Sequence, residues 1–477
     1  MRDRSKVRTG LAAVGAALGV LAGTPGPVLA APADGSEGVA SYRPRGTEIA
    51  GTSGKDGAPR LAPKGTYVDG IGPGQRRHYR VELDADSTAY LSAVAVPPPG
   101  SDPAARADGI KVSLLDGDGA VCDRTDVRAQ VRGVAFPLAG YASRRKETGP
   151  RATCQEAGAY DFVVERTGVS GGASDEGTGE AAEGLSGGDR WPLELSFQRE
   201  PAVRGEESAR PAAQGLPTRP SEMPQGPARE LRPGGTGFSD ARALSTGVWK
   251  LRMKPGETRF YRVPLDWGQQ FYADVELPDA TRGVDKDRGT GAPTGPGTGG
   301  GTGTGTGSRT GSGAYVGDAL GVSLYNPARG LVQRGAFAPY KGARAEDRLG
   351  LTAPVTYGNR YESAKARVRA MSVAGPYYLA VTLNAGTAPY FEGSAPVTLR
   401  VAVEGERRPA PGYREDPDGA GLGAPRGDGP AAASGTDDGP DGTLRAVAYA
   451  SFGTGTLLLL GLGLWTVLGV RRLSRTP

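Results

Sequence analysis

Residues 79–84 read YRVELD and residues 261–266 read YRVPLD, and this repeated hexapeptide decides the fold. In both stretches apolar and β-branched residues alternate with polar ones, which is the period-2 pattern of a strand that is buried on one face. A Pro-Gly pair precedes each stretch at the same offset, at residues 73–74 and 255–256. Because Pro-Gly pairs mark turns, the two stretches predict equivalent strands that each follow a turn.

The repeat extends beyond this strand. Three further blocks recur in the same order: VSLLD (112–116) and VSLYN (322–326), AGAY (157–160) and AGPY (374–377), PLEL (192–195) and PVTL (396–399). Four matched blocks in one order indicate a tandem duplication. The blocks are short strands separated by turns, with no long helical period, so the sequence predicts an all-β chain with two tandem antiparallel β-sandwiches.

The repeat also predicts the domain bounds, with β-sandwich domains at 62–198 and 243–405. The surrounding segments are polar or rich in Pro and Gly, so we expect a disordered leader (31–61), a linker (199–242) and a disordered stalk (406–445). The second copy is longer by nearly the length of its Gly/Thr-rich tract, residues 283–313. That tract is predicted to be a loop insertion, since loop-closure entropy grows only slowly with length.

The two ends of the chain predict export and anchoring. Residues 1–30 combine a basic start, a short apolar core and small residues at the end, which is typical of a cleaved signal peptide. Residues 446–470 carry no charge and are long enough to span a bilayer as a single C-terminal transmembrane helix. The arginines in the tail, residues 471–477, stay on the cytoplasmic side. We therefore expect a single-pass type I protein of the cell membrane with extracellular N-terminal domains.

The pattern of charge and small residues bears on partners. The net charge of +5 arises from basic residues at the two ends, and no basic block with interleaved aromatics occurs, so nucleic-acid binding is not indicated. Ala446, Ala450 and Thr454 place small residues every four positions along the apolar span. This spacing permits a helix-mediated homodimer, although small residues are also common in spans that do not associate.

The only two cysteines, Cys122 and Cys154, both lie in the first predicted sandwich. In an exported protein two such cysteines are expected to form a disulfide, with two free thiols or a metal pair as the alternative.

Few residues in the sequence carry catalytic or metal-binding chemistry. The only histidine, His78, is predicted to be a surface or packing residue, and the string GVSGG at 168–172 lacks the strand-turn-helix context of a nucleophile elbow. Asp116 and Asp118 lie in the sequence DGDG, which fits either a tight hairpin or part of a calcium site. We therefore predict no enzyme and assign no catalytic, cofactor-binding or metal residue.

The order of Pro-Gly turn, Tyr-Arg-Val strand, Val-Ser-Leu hairpin and Ala-Gly-x-Tyr strand resembles the bacterial pre-peptidase C-terminal (PPC) type of β-sandwich. The resemblance implies jelly-roll-like domains that accompany secreted proteins as accessory modules. Only the second copy has the Tyr-Tyr pair of that family, Tyr377-Tyr378. With 78 Gly and 39 Pro, the composition resembles that of actinobacterial membrane-anchored surface proteins.

Together these features predict a non-enzymatic cell-envelope surface protein that presents two β-sandwich binding modules, without a cofactor, to an envelope protein or a cell-wall polymer. The alternative is an accessory or scaffold subunit of a membrane-bound secretion or protease complex, associated through its transmembrane helix. The sequence does not distinguish these partners.

Overall fold

The computed structural model describes residues 41–98, 107–129, 136–147, 152–168, 190–204, 222–231, 233–282, 315–361 and 365–414. Within these ranges the chain is all-β, apart from a short helix α1 (Ala366–Arg369) and 3-10 helices at Tyr357–Tyr361 and Ala385–Tyr390. The strands are β1 (Thr47–Glu48), β2 (Thr66–Ile71), β3 (Arg76–Leu83), β4 (Thr88–Ala95), β5 (Gly109–Leu115), β6 (Val121–Arg128), β7 (Leu138–Arg144), β8 (Gly158–Thr167), β9 (Trp191–Glu200), β10 (Arg229–Leu231), β11 (Arg242–Ala243), β12 (Gly247–Met253), β13 (Thr258–Leu265), β14 (Gln270–Leu277), β15 (Val316–Tyr325), β16 (Leu331–Arg334), β17 (Ala338–Tyr340), β18 (Ala345–Arg348), β19 (Gly375–Leu383) and β20 (Ala395–Glu404).

Strands β1–β9 form the first sandwich. Its five-stranded sheet has the order β1-β2-β9-β4-β7, and its four-stranded sheet has the order β3-β8-β5-β6. Strand β3 contains the hexapeptide 79–84, and its alternation places Tyr79, Val81 and Leu83 in the core between the two sheets. The period-2 pattern therefore selects the buried face of this strand.

Strands β10–β20 form the second sandwich and repeat this topology. The five-stranded sheet has the order β10-β12-β20-β14-β18, and the other sheet has the order β11-β13-β19-β15-β16, with β17 also paired to β15. The register repeats as well, because Leu83 pairs with Gly158 in the first sandwich and Leu265 pairs with Gly375 in the second. The two copies therefore share strand order and register.

The two sandwiches pack face to face through one sheet each. Val94 of β4 and Val96, which directly follows this strand, lie in one buried cluster with Phe260 and Tyr325 of the second sandwich's β11-β13-β19-β15-β16 sheet. Tyr90 of β4 packs against Ala328 and Val373 in a smaller cluster. These contacts use the faces that point away from each sandwich's own core, so the described chain has four stacked sheets.

The segments expected to be disordered belong partly to the fold. Of the predicted leader 31–61, Tyr42 is buried between the sandwiches and β1 pairs in parallel with β2. Of the predicted linker 199–242, Phe238 is buried in the same layer, and β10 adds to the second sandwich. These segments show no apolar periodicity because each places only single residues, such as Tyr42 or Phe238, in the layer between the two sandwiches.

The start of the predicted stalk 406–445 also packs on the fold, since the amide of Arg408 donates a hydrogen bond to the carbonyl of Trp267. In the part of the chain that the structure describes, we find no helix of the length and apolar character that a membrane crossing requires. The predicted signal peptide (1–30), loop insertion (283–313), transmembrane helix (446–470) and tail (471–477) lie outside the described residues.

Cys122 and Cys154 form the disulfide that the sequence predicts. Cys122 lies on β6, at the edge of the four-stranded sheet, and Cys154 lies in the segment that leads to β8. The bond therefore ties the outermost strand of this sheet to the connection that precedes one of its central strands.

We expect the Cys122→Ser/Cys154→Ser variant to lose about 3–4 kcal/mol in the free energy of unfolding, because the bond removes loop-closure entropy from the unfolded chain. Chemical denaturation with and without a reducing agent measures this loss. The reducing agent should destabilise the wild-type protein and leave the double variant unchanged. Equal midpoints for both proteins under oxidising conditions would contradict the prediction.

Candidate binding site at the junction of the two sandwiches

A buried ion pair joins the sandwiches at the end of β9. Arg360 donates from Nη1 to Oε2 of Glu200 at 2.7 Å and from Nη2 to Oε1 at 2.8 Å. Both side chains are about 1% exposed. The guanidinium carbon of Arg360 lies 3.5 Å from the ring centre of Tyr357. This bidentate, stacked geometry is the one that arginine forms with a carboxylate more readily than lysine does.

Neighbouring tyrosines fill the remaining acceptor positions of the Glu200 carboxylate. The hydroxyls of Tyr90 and Tyr413 donate to the Glu200 carboxylate at 3.0 and 2.7 Å. Burial and the charge of Glu200 raise the pKa of both tyrosines well above its usual value, so both hydroxyls remain protonated donors. Burial acts to lower the pKa of Arg360, but Glu200 raises it, and the net direction is upward. Each oxygen of the Glu200 carboxylate therefore accepts two hydrogen bonds, one from Arg360 and one from a tyrosine.

A second buried ion pair lies further along the same strand. Arg329 donates from Nη1 to Oε1 of Glu194 at 2.6 Å. The other oxygen of Glu194 accepts a hydrogen bond from the amide of Arg45 at 2.8 Å. Arg329 lies in the turn between β15 and β16 and has a positive φ of 62°. This left-handed conformation is uncommon for arginine.

The backbone of the second sandwich also approaches the first closely. A Cβ atom on Gly330 would clash with Cε1 of Tyr141. The absent side chain at this position is therefore what allows the tyrosine ring to contact the turn.

An open cleft of about 200 Å³ lies beside these contacts, between β6 and β7 on one side and β16 and α1 on the other. Its charged lining residues are Arg124, Arg128, Arg145, Arg334, Arg369, Asp123 and Asp126. The carboxylate of Asp123 already accepts hydrogen bonds from the amide and hydroxyl of Ser143 at 2.9 and 2.7 Å. Positive groups therefore outnumber negative ones, and one of the negative groups is engaged.

Contacts with the junction position two of the cleft arginines. Arg145 donates from Nη1 to the carbonyl of Arg360 at 2.9 Å, which links the cleft to the first ion pair. The guanidinium carbon of Arg334 lies 5.4 Å from the ring centre of Phe136. Because arginine recognises carboxylate and phosphate groups with its planar fork, guanidinium groups held in place can bind an anionic group of a partner.

Of the residues that the sequence singles out, Cys122 and Cys154 anchor a wall of the cleft, and Asp116 shapes a turn. Cys122 immediately precedes Asp123, so the disulfide anchors the strand that forms one wall of the cleft. Asp116 lies near both cysteines, but their sulfur atoms are bonded to each other. Oδ1 of Asp116 accepts hydrogen bonds from the amides of Asp118 and Ala120 at 3.1 and 2.8 Å. The carboxylate therefore closes the hairpin, as one of the two alternatives predicts.

The outward face of the four-stranded sheet carries a polar pair, in which Nδ1 of His78 lies 2.8 Å from Oδ2 of Asp161. The corresponding residues of the second sandwich are Phe260 and Tyr378, by the shared register. Both pack against Phe238 in the layer between the sandwiches. The strand pattern alone does not predict this interface, and the signal for it in the sequence is the replacement of a polar pair by two aromatic residues.

No family model matches the chain, and no curated protein matches it. Among solved structures, tripeptidyl peptidase 2 matches with 10% identity and a TM-score of 0.18, and the match covers 73% of this chain and 27% of the peptidase chain. Tandem CBM51 modules of a family 98 glycoside hydrolase from Streptococcus pneumoniae match with 8% identity and a TM-score of 0.17, covering 71% and 83% of the two chains. The CUB1-EGF-CUB2 segment of human MASP-1/3 matches with 9% identity and a TM-score of 0.14, covering 70% and 99%. At these scores the likenesses carry no argument.

We expect Arg360→Met to lower the free energy of unfolding by about 3–5 kcal/mol, because it leaves the buried carboxylate of Glu200 without its partner. The double variant Glu200→Gln/Arg360→Met should lose less than the sum of the single losses, since it removes both charges. Chemical denaturation of the single and double variants measures this coupling.

Arg348→Met is the matched control, because that side chain is 60% exposed. We expect this change to cost less than about 1 kcal/mol. Equal losses for Arg360→Met and Arg348→Met would show that the buried pair does not hold the sandwiches together.

Proposed function

We propose that this protein is a non-enzymatic surface protein of the cell envelope, and that its two sandwiches act as one binding unit for a cell-wall polymer or a protein partner. In this proposal the cleft at the junction receives an anionic group of the partner. The observation that carries the proposal is the set of five arginines and two aspartates that line this cleft.

The geometry of the junction supports binding by a preformed site. The sandwiches share two buried ion pairs, so the walls of the cleft are fixed relative to each other before a ligand arrives. A site that is already ordered loses less conformational entropy on binding than a flexible one. Arginine side chains would then supply both long-range attraction and paired hydrogen bonds to a carboxylate or phosphate.

The proposal includes the placement that the ends of the chain predict. A signal peptide at 1–30 and a transmembrane helix at 446–470 would leave the sandwiches outside the cell membrane. The resemblance to PPC-type domains, with their jelly-roll-like core, agrees with an accessory module that binds rather than catalyses. The stalk would hold the unit at a distance from the membrane.

We expect the full chain, purified in detergent, to be retained by an isolated cell-wall fraction, and retention should weaken as salt is added because ions screen exposed charges. Arg124→Gln/Arg334→Gln should reduce retention about tenfold or more, since it removes two cationic groups from the cleft. A sedimentation assay with wall fragments measures the bound fraction.

Arg76→Gln is the control for a general loss of positive charge, because Arg76 lies on the outward face of β3 with its side chain 61% exposed. Retention that is unchanged in the double variant, or reduced equally in the control, would contradict the cleft as the binding site. If the wall does not retain the protein and a membrane protein co-purifies with it instead, the accessory subunit is the better description.

A further inference from the structure

One wall of the junction cleft is the open edge of a β-sheet. Strand β6 is the last strand of its four-stranded sheet and pairs only with β5, and its residues 123–128 line the cleft. A strand at the edge of a sheet presents a row of backbone amides and carbonyls to whatever lies beside it. The cleft therefore offers main-chain hydrogen-bonding groups in addition to its arginines.

The alternation of an antiparallel strand decides which backbone groups of β6 face outward. The amide of Ala129, directly after β6, donates to the carbonyl of Asp108 at 2.8 Å, on the side of β5. Every second residue of a strand points its amide and carbonyl to the same side, so those of the odd-numbered residues from 123 to 127 also point to β5. The backbone groups of Arg124, Asp126 and Arg128 therefore point to the open side.

Hydrogen bonds along β6 agree with this orientation. The amide of Arg124 donates to a side-chain atom, Oδ1 of Asp123, at 2.9 Å, as expected for an amide that faces away from β5. Among the residues that the structure describes, the amides of Asp126 and Arg128 donate no hydrogen bond. Asp126 is also exposed. Two backbone donors are therefore free at this edge.

Two edges close to β6 are covered by the chain itself. On β3, the opposite edge of the same sheet, residues 59–61 lie alongside, and the amide of Leu61 donates to the carbonyl of Arg80 at 2.9 Å. The edge of β7 is capped by side chains of β6, since the hydroxyl of Thr125 donates to the carbonyl of Tyr141 at 2.7 Å. The edge of β6, in contrast, faces the cleft.

The side chains beside this edge determine which charges a further strand should carry. Val127 packs against the core of the first sandwich, so Arg124, Asp126 and Arg128 lie on the opposite face of β6. Opposite charges on directly opposed residues of neighbouring strands stabilise a sheet, and like charges destabilise it. The complementary strand therefore has an acidic residue opposite each arginine and a neutral residue opposite Asp126.

We propose that the cleft receives an extended acidic segment of a partner protein, which adds to β6 as an antiparallel strand with acidic residues opposite Arg124 and Arg128. The inference rests on the proposed function, since it names the partner that the same cleft receives. The main chain of the segment supplies affinity, and its alternate side chains supply specificity. Antiparallel pairing matches the rest of this sheet and is slightly more stable per residue than parallel pairing.

Other anionic partners fit this edge less well. A glycan or a polyphosphate supplies negative charge, but it lacks amides and carbonyls that repeat every two residues of a strand, about 6.8 Å. A second copy of this chain has the backbone groups, but it would bring a cleft with the same excess of arginines over aspartates. Charge complementarity therefore favours an acidic peptide.

The acetylated and amidated peptide SVEVTVEVS is the probe, because its Glu, Thr and Glu side chains share one face of an extended strand. Fluorescence anisotropy of the labelled peptide with the full chain in detergent measures the affinity. Two N-methylated isomers separate main-chain pairing from charge: one is methylated on Glu, Thr and Glu, and the other on three valines. Both isomers keep every side chain and the net charge.

Only the first isomer loses the amides that face β6, because directly opposed residues of an antiparallel pair exchange their hydrogen bonds on the side where their backbone groups meet. We expect it to bind about tenfold or more weakly than the parent peptide, the loss of two or more hydrogen bonds. The valine isomer should bind like the parent. No saturable binding by the parent, or an affinity of the first isomer that equals or exceeds that of the valine isomer, would overturn the proposal.

Two variants at one position test the same edge from the side of the protein. Asp126→Pro removes an outward amide without removing a bond to β5, and proline is tolerated at such edge positions. Asp126→Asn is the matched control, since it removes the same charge and keeps the amide. The asparagine variant should bind the peptide at least as tightly as the wild type, because a repulsive carboxylate is gone.

The proline variant should bind the peptide about tenfold more weakly than the asparagine variant, as expected for a lost donor and a blocked edge. Equal affinities of the two variants would show that charge alone attracts the peptide and would overturn the proposal. Melting temperatures show whether the proline variant is folded. If it is not, the two peptide isomers decide with the wild-type chain.

Sedimentation and wall binding identify the remaining outcomes. A dimer of the wild-type chain that Asp126→Pro separates would make a second copy the occupant and overturn the proposal. Wall retention that depends on Arg124 and Arg334, together with equal binding of the two peptide isomers, would leave the proposed function standing and overturn only this inference. The failure of one is therefore distinguishable from the failure of the other.

Discussion

The pair of Glu200 and Arg360 is the contact on which the rest of the structure depends. It joins β9, the last strand of the first sandwich, to the 3-10 helix Tyr357–Tyr361 of the second. Tyr413, which lies after β20, donates a hydrogen bond to the same carboxylate. Burying two charges is favourable only when every lone pair and proton finds a partner. The closed junction provides those partners from three distant parts of the chain, so the pair and the packing of the sandwiches require each other.

The duplication explains the shared topology of the two sandwiches, and the differences between the copies explain which faces meet at the junction. The first sandwich contributes the outer face of its β1-β2-β9-β4-β7 sheet, and the second contributes the outer face of its β11-β13-β19-β15-β16 sheet. These two sheets are not equivalent in the repeat, so the contact is heterologous. The equivalent faces at the two ends carry polar pairs, His78 with Asp161 and Arg400 with Asp274. A heterologous contact can in principle add further copies without end. The two end faces carry these charged pairs at the positions where the junction has aromatic residues such as Phe260, which packs against Phe238.

The candidate cleft is built from groups that the junction holds in place. Arg145 in the cleft donates a hydrogen bond to the carbonyl of Arg360, and Tyr357 stacks on the guanidinium of the same residue. A binding group that is fixed before the ligand arrives loses little entropy on binding. The junction thus has two roles, since it makes one body of two small domains and it positions side chains from both of them for recognition.

The sequence by itself determined the strands, the repeat and the disulfide, because these depend on local alternation, turn residues and the compartment that an exported protein enters. Only the tertiary structure decided which charges are buried. Glu194 and Glu200 occupy the polar positions of an alternating strand, where a solvated carboxylate is the usual expectation. Their arginine partners, Arg329 and Arg360, lie more than a hundred residues away. The parts of the leader and linker that belong to the fold were missed for the same reason, since residues such as Tyr42 and Phe238 are buried only by a surface that two separate sheets create together.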